Sequence, residues 1–157
     1  GTVLITGGLG ADSITGGGAS DTFGFGADGW VIGTSMDIIS DFNSAGADIL
    51  AFAGITTVTA DLTALVAGSG AGSNVQTSAG GLITFAEADN NLALKIAAVQ
   101  ADLQLDALGS VAMFVDDANT YVYYAGLATG NADDQLVQLS GITTLEAITG
   151  GATTVIA

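Results

Sequence analysis

Large apolar residues recur every nine positions at the start of the chain, at Ile5, Ile14 and Phe23, and most of what separates them is glycine, small or polar. One buried residue per nine predicts very short strands joined by tight turns. In such a solenoid, successive coils bury one another's faces. Past residue 25 the period lapses and ordinary strand patterns take over. Residues 38–39 and 49–52 read as short strands bounded by Asp, Asn, Ser and Gly, and residues 82–85 as another. Residues 111–115 and 120–124 flank the turn sequence DDAN, which predicts a hairpin with Tyr121 and Tyr123 on one face. Residues 135–139 offer a further strand.

Two segments carry helical spacing. Leu92, Ile96, Val99 and Leu103 are separated by four, three and four residues and form one apolar stripe. Asp89 or Asn90 is the expected N-cap, and the stripe is expected to cover a face or edge of a sheet. A shorter helix is predicted over residues 60–67, capped by Thr59 and stopped by Gly68. Residues 68–81, rich in Gly, Ser and Ala, read as a flexible loop.

The turns of the first repeats have their own chemistry. Gly7, Gly8, Gly10 and Asp12 are matched nine residues later by Gly16, Gly17, Ala19 and Asp21. Glycine lets the backbone bend so tightly that carbonyl oxygens point inward, and the aspartate adds anionic oxygen. A cage of six to eight oxygens suits calcium. Ala19 stands where a third glycine is expected and should strain its turn modestly. The phase puts Val3 before these units, and Trp30 after them, where an aspartate should be. Neither supplies a carboxylate.

Both units, GGLGADSIT and GGGASDTFG, match the nonapeptide G-G-x-G-x-D-x-U-x, and with the following segment MDIISDFNSAGADILAFAG the chain resembles the RTX family of secreted bacterial proteins. The resemblance implies a mainly β fold: a calcium-binding parallel β-roll over residues 1–54, continuing without a linker into a β-rich region over 55–157 that carries one or two packed helices, one near 90–106. In that roll two nonapeptides make one coil, so Asp12 and Asp21 should lie on opposite edges and need partners from elsewhere. The implied calcium-binding set is Gly7, Leu9, Asp12, Gly16, Gly18 and Asp21, completed by Asp37, Asp41 and Asp48. The pairs Asp116, Asp117 and Asp133, Asp134 lack EF-hand spacing and read as solvated turns.

Composition narrows the function. Sixteen acidic residues face a single base, Lys95, giving a formal charge of −15, with no histidine, cysteine or proline. Such a chain repels phosphate backbones, so nucleic acid is not expected as a partner, and it repels itself when folded. Bound divalent cations would offset that repulsion. No stretch approaches the roughly 18 uninterrupted apolar residues of a membrane span. Without histidine or cysteine the usual general base and thiol nucleophile are missing. A Ser-Lys dyad through Lys95 has no serine nearby in sequence, and the aspartates crowd turns instead of facing a cleft. No enzymatic activity is expected.

The family resemblance implies a secreted, extracellular or cell-surface protein that leaves the cell by type I secretion. The tail TTLEAITGGATTVIA is compatible with an uncleaved export signal, and the opening in mid-repeat suggests a C-terminal part. Two roles fit. One is a calcium-dependent structural protein of a bacterial surface layer or matrix, partnered by copies of itself and by cell-surface glycan. The other is an accessory domain of a secreted protease, lipase or adhesin.

Overall fold

The computed structural model describes residues 1–25, 36–43, 47–52, 75–78, 81–102, 108–130, 132–144, 148–149 and 155–156. Trp30, the helix expected over 60–67 and much of the C-terminal tail lie outside these residues. The chain is mostly β with one helix among the described residues.

The first five strands are each two or three residues long: β1 (Leu4–Thr6), β2 (Ser13–Ile14), β3 (Thr22–Gly24), β4 (Asp37–Ile39) and β5 (Ile49–Ala51). They fall alternately into two sheets. β1, β3 and β5 form one, with every pair parallel, and β2 and β4 pair in parallel in the other. The register sets Ile5 beside Phe23 and Phe23 beside Leu50, while Ile14 lies beside Ile39. Phe23, Ile39 and Leu50 are fully buried, Ile14 nearly so, and all four belong to one apolar core. Fully burying such a side chain contributes about 1.5–3 kcal/mol, which is how one apolar residue per nine can hold a coil.

Three longer strands extend the second sheet: β8 (Val111–Asp116), β9 (Asn119–Tyr124) and β10 (Gln135–Ser140). Before them in the chain come β6 (Val75–Thr77), β7 (Ile83–Phe85) and α1 (Leu92–Ala101). The sheet order is β2-β4-β10-β9-β8, with β4 parallel to β10 and the last three antiparallel. The first fifty residues and the last third therefore share a sheet. β8 and β9 close on the Asp116–Asn119 pair through a two-residue turn in which Asp117 has φ 51°. β11 (Ile148–Thr149) pairs antiparallel with β12 (Val155–Ile156).

The β8–β9 hairpin is covered on both faces, which explains why its strands are apolar almost throughout. Tyr124 stacks on Phe52 and Phe52 on Phe25, with ring centroids 4.9 Å apart in each pair, tying the hairpin to the first sheet. On the opposite face Phe114 stacks on Tyr121 at 5.4 Å and meets Phe85 edge-on at 5.1 Å.

Helix α1 packs Leu92, Ile96, Ala98 and Val99 against this core, as the stripe predicts. Its N-cap is Asn91, not Asp89 or Asn90: Asn91 has extended backbone, and its Oδ1 accepts the Leu94 N–H at 3.1 Å. Asp102 caps the other end, so the helix is shorter than the expected 90–106, and Leu103 lies outside the described residues. The loop reading of 68–81 is corrected at β6. Val75 and Thr77 are buried and pair with Phe85 and Ile83, and the Asp102 carboxylate accepts the Val75 N–H at 3.3 Å. Among the described residues no helix is long and apolar enough to cross a membrane.

Candidate metal centre

β2 and β3 are each preceded by a glycine turn and an in-phase aspartate, Asp12 and Asp21, and Val3 holds the same place before β1. Asp37 opens β4, and Asp48 precedes β5. Stacking the coils stacks these residues in two columns. Val3, Asp21 and Asp48 form one, along the first sheet. Asp12 and Asp37 form the other, along the second.

A single contact repeats up both columns. The Asp21 Oδ1 accepts the Val3 N–H at 3.0 Å, the Asp48 Oδ1 accepts the Asp21 N–H at 2.8 Å, and the Asp37 Oδ1 accepts the Asp12 N–H at 2.9 Å. A carboxylate in one coil thus satisfies a backbone donor in the coil before it, across 18, 27 and 25 residues. Charge-assisted bonds of this kind are the strong ones.

The second oxygens behave differently. Asp12 Oδ2 and Asp21 Oδ2 are both buried and have no hydrogen-bond partner. Asp21 as a residue is 1% exposed. Both atoms face glycine turns. A Cβ on Gly7 would stand 2.9 Å from Asp12 Oδ2 and 3.0 Å from Asp37 Oδ2, and one on Gly16 would stand 2.8 Å from Asp21 Oδ2. A buried carboxylate oxygen with no donor costs free energy unless something satisfies it. Burial, the larger cause, and the Asp12 charge both push the Asp37 carboxyl above its usual range, against the pull of the Asp12 N–H.

Asp41 is fully used. Its two oxygens accept the Gly16 and Gly17 N–H groups at 2.9 and 2.7 Å, fixing the second turn. Asp48 also bonds Asn43 reciprocally: Asp48 Oδ2 accepts the Asn43 N–H at 2.8 Å, and Asn43 Oδ1 accepts the Asp48 N–H at 2.6 Å. Leu9 and Gly18 lie exposed at the turns. The turns themselves differ. Gly8, Gly10 and Gly17 have positive φ, but Ala19, the counterpart of Gly10, does not, so the strain expected there is absent.

The donor set is oxygen alone, which suits a hard cation. Among the described residues no three acidic, histidine or cysteine side chains gather at one point. The carboxylates come in pairs or singly, so the remaining ligands of a cation would be the backbone carbonyls of the glycine turns. Asp12 Oδ2 and Asp21 Oδ2 are buried orphans beside those turns, and at the Gly16 turn the edge of the Phe23 ring crowds the same space, 2.9 Å from where a Cβ would stand.

Of the other acidic pairs, Asp117 is the exposed turn residue expected, while Asp116, Asp133 and Asp134 are engaged. Asp116 Oδ1 forms an ion pair with Lys95 Nζ at 2.7 Å, and the same ammonium donates to the Val115 carbonyl at 3.1 Å and lies 5.6 Å from the centre of the Phe85 ring. Asp134 is buried. Its Oδ2 accepts the Tyr123 hydroxyl at 2.7 Å and its Oδ1 the Gly126 N–H at 3.2 Å. Asp133 Oδ2 accepts the N–H groups of Leu127 and Ala128 at 2.8 and 2.9 Å. Local sequence carries no sign of the partners that lie on α1 and β9, Lys95 and Tyr123.

Neither a protein-family model nor a curated protein matches this chain.

Proposed function

We propose that this chain is a calcium-dependent extracellular structural protein, built on an RTX-like parallel β-roll and belonging to a self-assembling bacterial surface layer or matrix. One observation carries the calcium reading: two buried carboxylate oxygens, on Asp12 and Asp21, face glycine turns between stacked parallel strands without a hydrogen-bond partner. The alternation of short parallel strands between two sheets, with an 18-residue step from β1 to β3, supports the roll.

The chain's own residues do the following. Asp21, Asp37 and Asp48 clamp one coil to the next through backbone N–H groups, while Asp12 and Asp21 turn their second oxygens toward the glycine turns. A bound calcium ion supplies positive charge there, against a formal charge of −15. At about 100 times its dissociation constant each ion stabilises the folded chain by roughly 2.7 kcal/mol. Extracellular calcium modules typically bind in the range of about 10⁻⁴ to 10⁻³ M, so folding waits until the chain has left the cell by type I secretion.

The low charge diversity, the high Ala, Gly and Thr content and the missing proline resemble surface-layer RTX proteins and favour assembly over an accessory role. Electron microscopy of the purified chain in millimolar calcium and in excess chelator tests the proposal. Ordered sheets or filaments that dissolve in chelator are expected, whereas dispersed particles in both conditions would point to an accessory domain of a secreted enzyme.

A further inference from the structure

We draw no further inference here: the strongest candidate, the acidic cluster of Asp133 and Asp134 between β9 and β10, where Asp133 Oδ1 is buried over Gly126 without a hydrogen-bond partner, carries nothing because the remaining carboxylate oxygens are held by Leu127, Ala128, Tyr123 and Gly126 and no second observation among the described residues points to a ligand there.

Discussion

Asp48 reaches back 27 residues to accept the backbone N–H of Asp21 at 2.8 Å, and Asp21 does the same for Val3, 18 residues earlier, at 3.0 Å. The first sheet is therefore held by more than its short ladders. A chain of carboxylates, each in one coil and bonded to the backbone of the coil before, fixes the vertical register of strands only three residues long.

Removing one link should be costly even without a cation. Asp48→Ala strands the N–H groups of Asp21 and Asn43, and each unsatisfied donor costs about 1–3 kcal/mol. Urea unfolding in chelator is the measurement. A stability within about 0.5 kcal/mol of the unaltered chain, the range of an ordinary surface substitution, would mean that the clamp contributes nothing.

Gly126 is required for space and not for backbone freedom. It is not among the glycines with positive φ, but a Cβ there would overlap the Asp133 carboxylate. That carboxylate caps the N–H groups of Leu127 and Ala128. Gly126→Ala is expected to lower stability by about 1–3 kcal/mol, the usual cost of overpacking. Thermal melts should place it well below the control Ala128→Gly at an exposed position of the same loop.

The tyrosines of the hairpin make the fold sensitive to alkali. Burial, and then Asp116 and Asp117, push Tyr121 above its ordinary value of 10, with Asn119 opposing. Burial and then Asp133 raise Tyr124. The unfolded chain loses these protons first, so the stability they give is complete below about pH 10 and falls as pH rises toward the folded values. Urea midpoints should begin to drop at about pH 10 and go on dropping above it. The double variant Tyr121→Phe, Tyr124→Phe should show a shallower drop, and an identical slope would remove the tyrosines as its cause.

Lys95 is the chain's only base, and it is used to dock α1 onto β8 through Asp116 and the Val115 carbonyl. Lys95→Met should cost about 1.5–3 kcal/mol, typical of hydrogen bonds to charged groups. The double variant Lys95→Met, Asp116→Leu should recover part of that loss, because no unpaired charge is left behind. Failure to recover would show that the contact with Phe85 matters more than the ion pair.

The repeat could be read because its period is local: Ile5, Ile14 and Phe23 announce one buried residue per coil, and the β1–β3 register follows from two nine-residue units. The steps to β4 and β5 could not, since their in-phase aspartates lie 25 and 27 residues on, and no local pattern marks which insertion is bridged. The same limit hid the partners of Asp116 and Asp134, which lie 21 and 11 residues away on α1 and β9. Val75 in β6 was masked by its setting. Two β-branched residues, Val75 and Thr77, in a stretch of mostly Gly, Ser and Ala carry too little periodicity to signal a strand, and their burial comes from pairing with β7. Asp12, Asp21, Asp37, Asp41 and Asp48 were all legible as an acidic set, but only the fold separates those with a second oxygen at a glycine turn from those fully engaged with backbone N–H groups.

The most direct test is the melting temperature of the full chain in millimolar calcium against excess chelator, with magnesium as a control. Two filled sites at about 100 times their dissociation constants would add roughly 5 kcal/mol, which for a chain of this size raises the melting point by on the order of 10–20 °C. A calcium-specific rise of that order, reduced in Asp12→Ala and in Asp21→Ala, is the expected result. A melting curve that is the same with calcium and with chelator would contradict the calcium-dependent fold outright.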